Sequence, residues 1–147
     1  MVNGKFRVLM VCSGNICRSP LAEAVLTDQG FGKVEAVSSA GIGALVASAP
    51  HPDAVRVADE HGLDIRSHKA RQFDQAMARS HDLVLVMEHH HRLWIERTFP
   101  YLQGRVHLLG RWTNLEIADP FQKGPRAFDQ AMREIRACVA DWRPRLD

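Results

Sequence analysis

Residues 12–20, Cys-Ser-Gly-Asn-Ile-Cys-Arg-Ser-Pro, limit the possible folds of this chain more than any other segment. They lie between two readable elements. The run before them, residues 6–11, is apolar except for Arg7 and predicts a short strand; residues 21–29 carry Leu21, Ala22, Val25 and Leu26 at helical spacing and end at Gly30. Ser19 suits an N-cap and Pro20 a first helical position, so the loop is expected to face the positive end of a helix dipole. A strand that delivers a loop to a helix N-terminus makes an anion site.

Five residues between Cys12 and Arg18 are enough to circle one tetrahedral oxyanion with N–H groups pointing inward, Gly14 supplying an awkward backbone angle. Arg18 would grip two oxygens through its planar fork, which lysine cannot do, and Cys12 would lie below the central atom. A cysteine thiol is ordinarily protonated at neutral pH, so a nucleophile here needs a helix terminus, Arg18 and a hydroxyl such as that of Ser19 to favour the thiolate. Other phosphate loops do not fit. The segment has neither the Gly-x-x-x-x-Gly-Lys pattern of a nucleotide loop nor a dinucleotide fingerprint, and Gly41-Ile42-Gly43 reads as a turn because Val46 stands where a third small residue belongs. Zinc on Cys12 and Cys17 would seat Arg18 beside a cation and lacks a second cysteine pair.

The rest of the chain alternates. Strands are expected at 34–39, 83–87 and 106–109, and helices at 53–61 (opened by Pro52, closed by Gly62), 89–98 and 127–142. Strands separated by helices imply a parallel sheet, with its ligand crevice beyond the strands' carboxyl ends. The 147 residues, 46% of them apolar, suit one domain spanning 1–147. A net charge of +2, well mixed, gives no nucleic-acid groove or membrane-surface patch, and no apolar run approaches a bilayer span. Three cysteines, with no signal core after Lys5 and Arg7, make the reducing cytoplasm the expected compartment.

The Cys12–Arg18-Ser19 signature after the first strand resembles that of the low-molecular-weight protein tyrosine phosphatases. Similarity continues through Ser39-Ala40-Gly41, Pro50-His51-Pro52, His68-Lys69-Ala70-Arg71, Asp82-Leu83, Met87-Glu88, Leu109-Gly110 and Asp119-Pro120. The expected fold is a single-domain α/β open sheet of four parallel strands, order 2-1-3-4, with helices on both faces. The resemblance implies hydrolysis of protein phosphotyrosine without metal or cofactor. Cys12 forms a phosphocysteine, and Arg18 with the N–H groups of Ser13, Gly14, Asn15, Ile16 and Cys17 holds the phosphoryl oxygens, so that phosphate or sulfate should bind the loop. Asp119 protonates the leaving phenolate and later activates water; its apolar neighbours Ile117, Ala118, Pro120 and Phe121 would favour the protonated acid. Ser19 donates to the thiolate, Asn15, Ser39 and His68 hold the loop rigid, and Leu45 and Phe121 wall an aryl slot. Residues 41–46 and Gly110-Arg111-Trp112 resemble the bacterial exopolysaccharide and capsule branch, whose implied partner is an autophosphorylating membrane tyrosine kinase.

Two sister activities share the fold. Arginine phosphatases carry threonine where this chain has Ile16, and arsenate reductases use extra mid-chain cysteines absent here between residues 18 and 137. The regulatory tyrosines that follow Asp-Pro in animal members are replaced by Phe121 and Gln122. Cys17 is either a disulfide partner protecting Cys12 or a small buried filler. His89-His90-His91 reads as a solvated helix face, since successive helical residues diverge by about 100°. Trp94, Trp112 and Trp142 are expected in the core, and Cys138 is expected to be inert.

Overall fold

The computed structural model describes residues 1 and 3–147. Its strands are β1 (Phe6–Cys12), β2 (Val34–Gly41), β3 (Leu83–Val86) and β4 (Val106–Leu108), and its helices are α1 (Arg18–Gln29), α2 (Pro52–Glu60), α3 (Gln75–Ser80), α4 (His89–Thr98), α5 (Pro125–Asp141) and α6 (Arg143–Leu146). The sheet is parallel throughout, in the expected order β2-β1-β3-β4.

Side-chain alternation along β1 divides the core. Val8, Met10 and Cys12 face one layer, where α1, α2 and α5 contribute Leu21, Val25, Val57, Phe128 and Ile135; Leu9 and Val11 face the other, with Ala78 of α3 and Ile95 of α4. Both faces of the sheet are covered, so central strands are apolar without polar alternation. The same parity directs Cys12 toward α1. Because β1 pairs with β2 on one side and β3 on the other, the strand order reverses at its carboxyl end, where a crevice opens.

Differences from the sequence reading are local. α3 and α6 were not expected: six and four residues are too short to display a helical period, although Asp74 accepts from Met77 N–H at 2.9 Å as an N-cap. α1 begins at Arg18 with Cys17 as its cap residue and no side-chain cap, so Ser19 is not the N-cap and Pro20 is not the first helical residue. The Ser19 hydroxyl is used elsewhere. Trp142 is buried and donates from Nε1 to Leu109 O at 2.8 Å, and Trp94 packs on Phe73 and Phe99, but Trp112 is 38% exposed.

Candidate active site

The loop's carbonyls are turned outward by the chain that passes beside it. Cys12, Ser13, Gly14 and Ile16 carbonyls accept from Ile42, Gly43, Leu45 and His51 N–H at 2.9–3.1 Å, and the Asn15 carbonyl accepts from His68 Nε2 at 2.7 Å. With those carbonyls committed outward, the N–H groups of residues 13–17 have no protein acceptor among the described residues and make an anion-binding concavity. Gly41 makes this pairing possible. A Cβ there would lie 2.5 Å from Ser13 O, so any side chain would push the loop off the strand.

The left-handed residue of the loop is Asn15, at φ 59°, rather than Gly14. Asn15 tolerates that geometry because its side chain is fixed on all sides. Its Nδ2 donates to Ser19 Oγ (2.7 Å) and Ser39 Oγ (3.1 Å), and its Oδ1 accepts from Arg71 N–H (3.0 Å). Ser19 Oγ in turn lies 2.9 Å from Cys12 Sγ. With Asn15 donating to its oxygen, the Ser19 hydroxyl has the sulfur as its near acceptor and Ala40 O, at 3.5 Å, as its far one.

Arg18 is 1% exposed, and one edge of its guanidinium is fully used. Nη1 donates to Ile117 O at 2.7 Å and pairs with Glu88, whereas Nε is buried with no partner and Nη2 has only Asp119 Oδ2, at 3.7 Å. The Nε/Nη2 edge therefore remains for two oxygens of an anion. Cys12, Ser13, Gly14, Ile16, Cys17, Arg18, Leu45, Asp119 and Phe121 line a single cavity of about 210 Å³, with Gly43. Asn15, Ser19, Ser39 and His68 stand behind the loop, so every site residue expected from sequence is brought to this place.

The apolar enclosure expected around Asp119 is not there. Its side chain is 44% exposed, and Oδ1 accepts from Phe121 N–H at 3.0 Å, because Ala118 and Phe121 are themselves open to solvent. The carboxylate sits at the lip of the cavity. Cys17 is buried, and burial first, then the neighbouring Cys12 and Asp119, pushes its thiol up to about 12, holding it neutral. Cys138, also buried, is pushed up to about 11 by burial.

Two further residues were missed in the sequence. Glu88 and His91 form a reciprocal cap on α4: Glu88 accepts from the His91 backbone, and Glu88 N–H donates to His91 Nδ1 at 3.0 Å. That places the ring proton on Nε2, which donates to Ser13 Oγ at 3.0 Å. His91 is 0% exposed, so the solvated-face reading fails for it: the helix turns one of three consecutive histidines onto the loop. Glu88 and His91 share the three-residue spacing of a capping box but not its residue types, so no sequence signature marked them. Glu88, His90 and His91 bring ligand atoms within 4.8 Å of one another, yet both His91 nitrogens are hydrogen-bonded and Glu88 pairs with Arg18, a donor set ill suited to a cation. Burial works to raise the Glu88 carboxyl, but the Arg18 hydrogen bond and charge outweigh it and hold it below the usual range.

Burial first, then the charges of Arg18 and His90, push His91 down to about 3. The unfolded chain therefore binds a proton at this histidine between about pH 6.5 and about pH 3 that the folded chain excludes, and stability is lost as pH falls through that window. The expected contribution is up to about 1.4 kcal/mol per pH unit. Urea unfolding of wild type and His91→Gln between pH 6.5 and 4.5 checks it: the variant should show the shallower pH dependence, and parallel curves would contradict the assignment.

Residues 7–147 match the low molecular weight phosphotyrosine protein phosphatase family. The chain belongs to that family. It is 41% identical over 139 residues, 95% of this chain and 94% of the relative, to the probable low molecular weight protein-tyrosine-phosphatase EpsP of Ralstonia nicotianae. The tyrosine phosphatase Wzb of Escherichia coli K30, solved in complex with sulphate, superposes with a TM-score of 0.90 at 37% identity, covering 96% of this chain and 98% of that one. The YwlE arginine phosphatase of Geobacillus stearothermophilus superposes nearly as well, with a TM-score of 0.89 at 29% identity over 96% of this chain and 92% of that one. The low molecular weight phosphatase fold is thus common to tyrosine and arginine phosphatases, and choice of substrate must come from the cavity walls.

Proposed function

We propose that the protein hydrolyses phosphotyrosine on protein substrates through a phosphocysteine. The observation that carries this reading is the free Nε/Nη2 edge of Arg18 beside inward-facing loop N–H groups, with Cys12 at the base. In the first step the Cys12 thiolate attacks phosphorus and the P–O bond to the aryl group breaks, the phenolate taking a proton from Asp119. In the second, Asp119 takes a proton from water, the water oxygen attacks phosphorus, and the S–P bond breaks to release inorganic phosphate and the thiolate. Arg18 and the loop N–H groups stabilise the equatorial oxygens in both steps, and no metal is called for. The sulphate held by the Wzb relative supports an oxyanion in this loop.

Ile16, Leu45 and Phe121 line the cavity with apolar surface that suits an aryl ring, and Ile16 brings no hydroxyl to the position where the arginine phosphatases carry threonine. This favours tyrosine over arginine as the phosphorylated side chain. Turnover of a phosphotyrosine peptide should exceed that of the matched phosphoarginine peptide by at least about tenfold in kcat/KM; the reverse order would make this an arginine phosphatase. The resemblance of residues 41–46 and 110–112 to the polysaccharide-export branch supports a membrane tyrosine autokinase as the partner, met in the cytoplasm. No described helix is long and apolar enough to cross a membrane.

Asp119→Ala should lower kcat by about 10² to 10⁴ for aryl phosphates with poor leaving groups, and by much less for good ones, which depart without a proton. A series of substituted phenyl phosphates measures this. Equal losses across the series would remove Asp119 from proton transfer.

A further inference from the structure

After β4 the chain reverses at Gly110, where a Cβ would lie 2.1 Å from Leu115 O, and a 3-10 turn over Arg111–Thr113 carries Trp112 outward. Trp112 packs edge-on against buried Trp142 at 5.3 Å and remains 38% exposed. Two arginines lie against its ring, Arg145 at 4.6 Å and Arg111 at 5.0 Å from the centroid. Neither has a carboxylate within ion-pair distance among the described residues. The hydrogen-bond partner of Arg111 is His107, at 2.9 Å, which burial and then the Arg111 and Arg92 charges hold below its usual pKa. The indole face attracts both guanidiniums without neutralising them.

Beside them opens a cavity of about 330 Å³ whose apolar walls include Phe6, Leu83, Trp142 and Leu146. It shares no lining residue with the cavity under Arg18. Asp141, in the neighbouring groove, is the sole carboxylate lining either of the two cavities around Trp112. An apolar cavity rimmed by two uncompensated planar cations is complementary to one large apolar side chain flanked by carboxylates, which arginine forks accept in bidentate pairs.

We infer that this face docks an acidic segment of a partner protein, its apolar side chain in the cavity against Trp112 and its carboxylates on Arg111 and Arg145. The inference uses no step of the catalytic reading, so the two fail separately. The test is fluorescence anisotropy with a labelled synthetic peptide bearing one phenylalanine between glutamates. Saturable binding to the wild-type protein is expected, weakened at least about tenfold by the double charge reversal Arg111→Glu/Arg145→Glu and by serine in place of the peptide's phenylalanine. A lysine-flanked peptide should not bind, and p-nitrophenyl phosphate turnover of the variant should be unchanged. Arg145→Gln, at an exposed position, reads the same direction if the double reversal fails to fold. Undiminished binding by the variants, equal binding of the serine peptide, or preference of these arginines for phosphatidylserine vesicles over the peptide would overturn the inference.

Discussion

Cys12→Ser is expected to lower phosphotyrosine turnover by at least about 10⁴-fold while leaving phosphate or vanadate binding within a few-fold of wild type. The separation follows from the geometry. The loop N–H groups and the Nε/Nη2 edge of Arg18 bind the anion, and none of them belongs to the Cys12 side chain. A serine hydroxyl at the same place meets Ser19 Oγ as the thiol does, so the loop keeps its shape, but a hydroxyl ionises too weakly to attack phosphorus. Single-turnover kinetics with phosphotyrosine peptide, alongside isothermal titration with phosphate, provides the measurement. Wild-type turnover in the variant would remove Cys12 as nucleophile, and loss of both properties would make it structural.

Arg18→Lys should cost nearly as much, about 10³-fold or more in kcat/KM, despite conserving the charge. Arg18 performs two tasks at once: Nη1 holds Ile117 O and Glu88, tying the Asp119 segment to the loop, while the other edge is left for the anion. A lysine ammonium can satisfy Glu88 or reach the anion, but it cannot span both. The expected signature is a fall in kcat larger than any rise in KM, because the fork is most needed when charge spreads over the equatorial oxygens. A thermal unfolding midpoint near wild type would show that the loss is not one of folding. Retention of more than about a tenth of wild-type kcat/KM would mean that a point charge suffices.

What could be read from the chain alone concerned short-range order. β1, the loop and α1 are contiguous, so an apolar run, a Cys-x5-Arg segment and a helical stripe were enough to place the candidate anion site; which layer Cys12 faces was not legible, because β1 is apolar on both faces. Even there the local rules misassigned details. Ser19 looked like a cap and Gly14 like the strained residue, because a cap and a strained turn have sequence signatures, whereas a hydroxyl committed to a sulfur and an asparagine fixed from three sides do not.

The tertiary structure decided everything that depends on segments distant in sequence. Which edge of Arg18 is free is set by Glu88 and Ile117, 70 and 99 residues away; the loop's carbonyls are drawn outward by residues 42–51 and His68; and His91 is buried on Ser13, 78 residues before it. The exposure of Asp119 and Trp112 was likewise invisible, since apolar neighbours in sequence say nothing of which side of a turn meets solvent. Hydrogen-bond partners and burial are properties of packing, and a period of 2.0 or 3.6 residues reports which face a side chain takes without reporting what the opposing element presents to it.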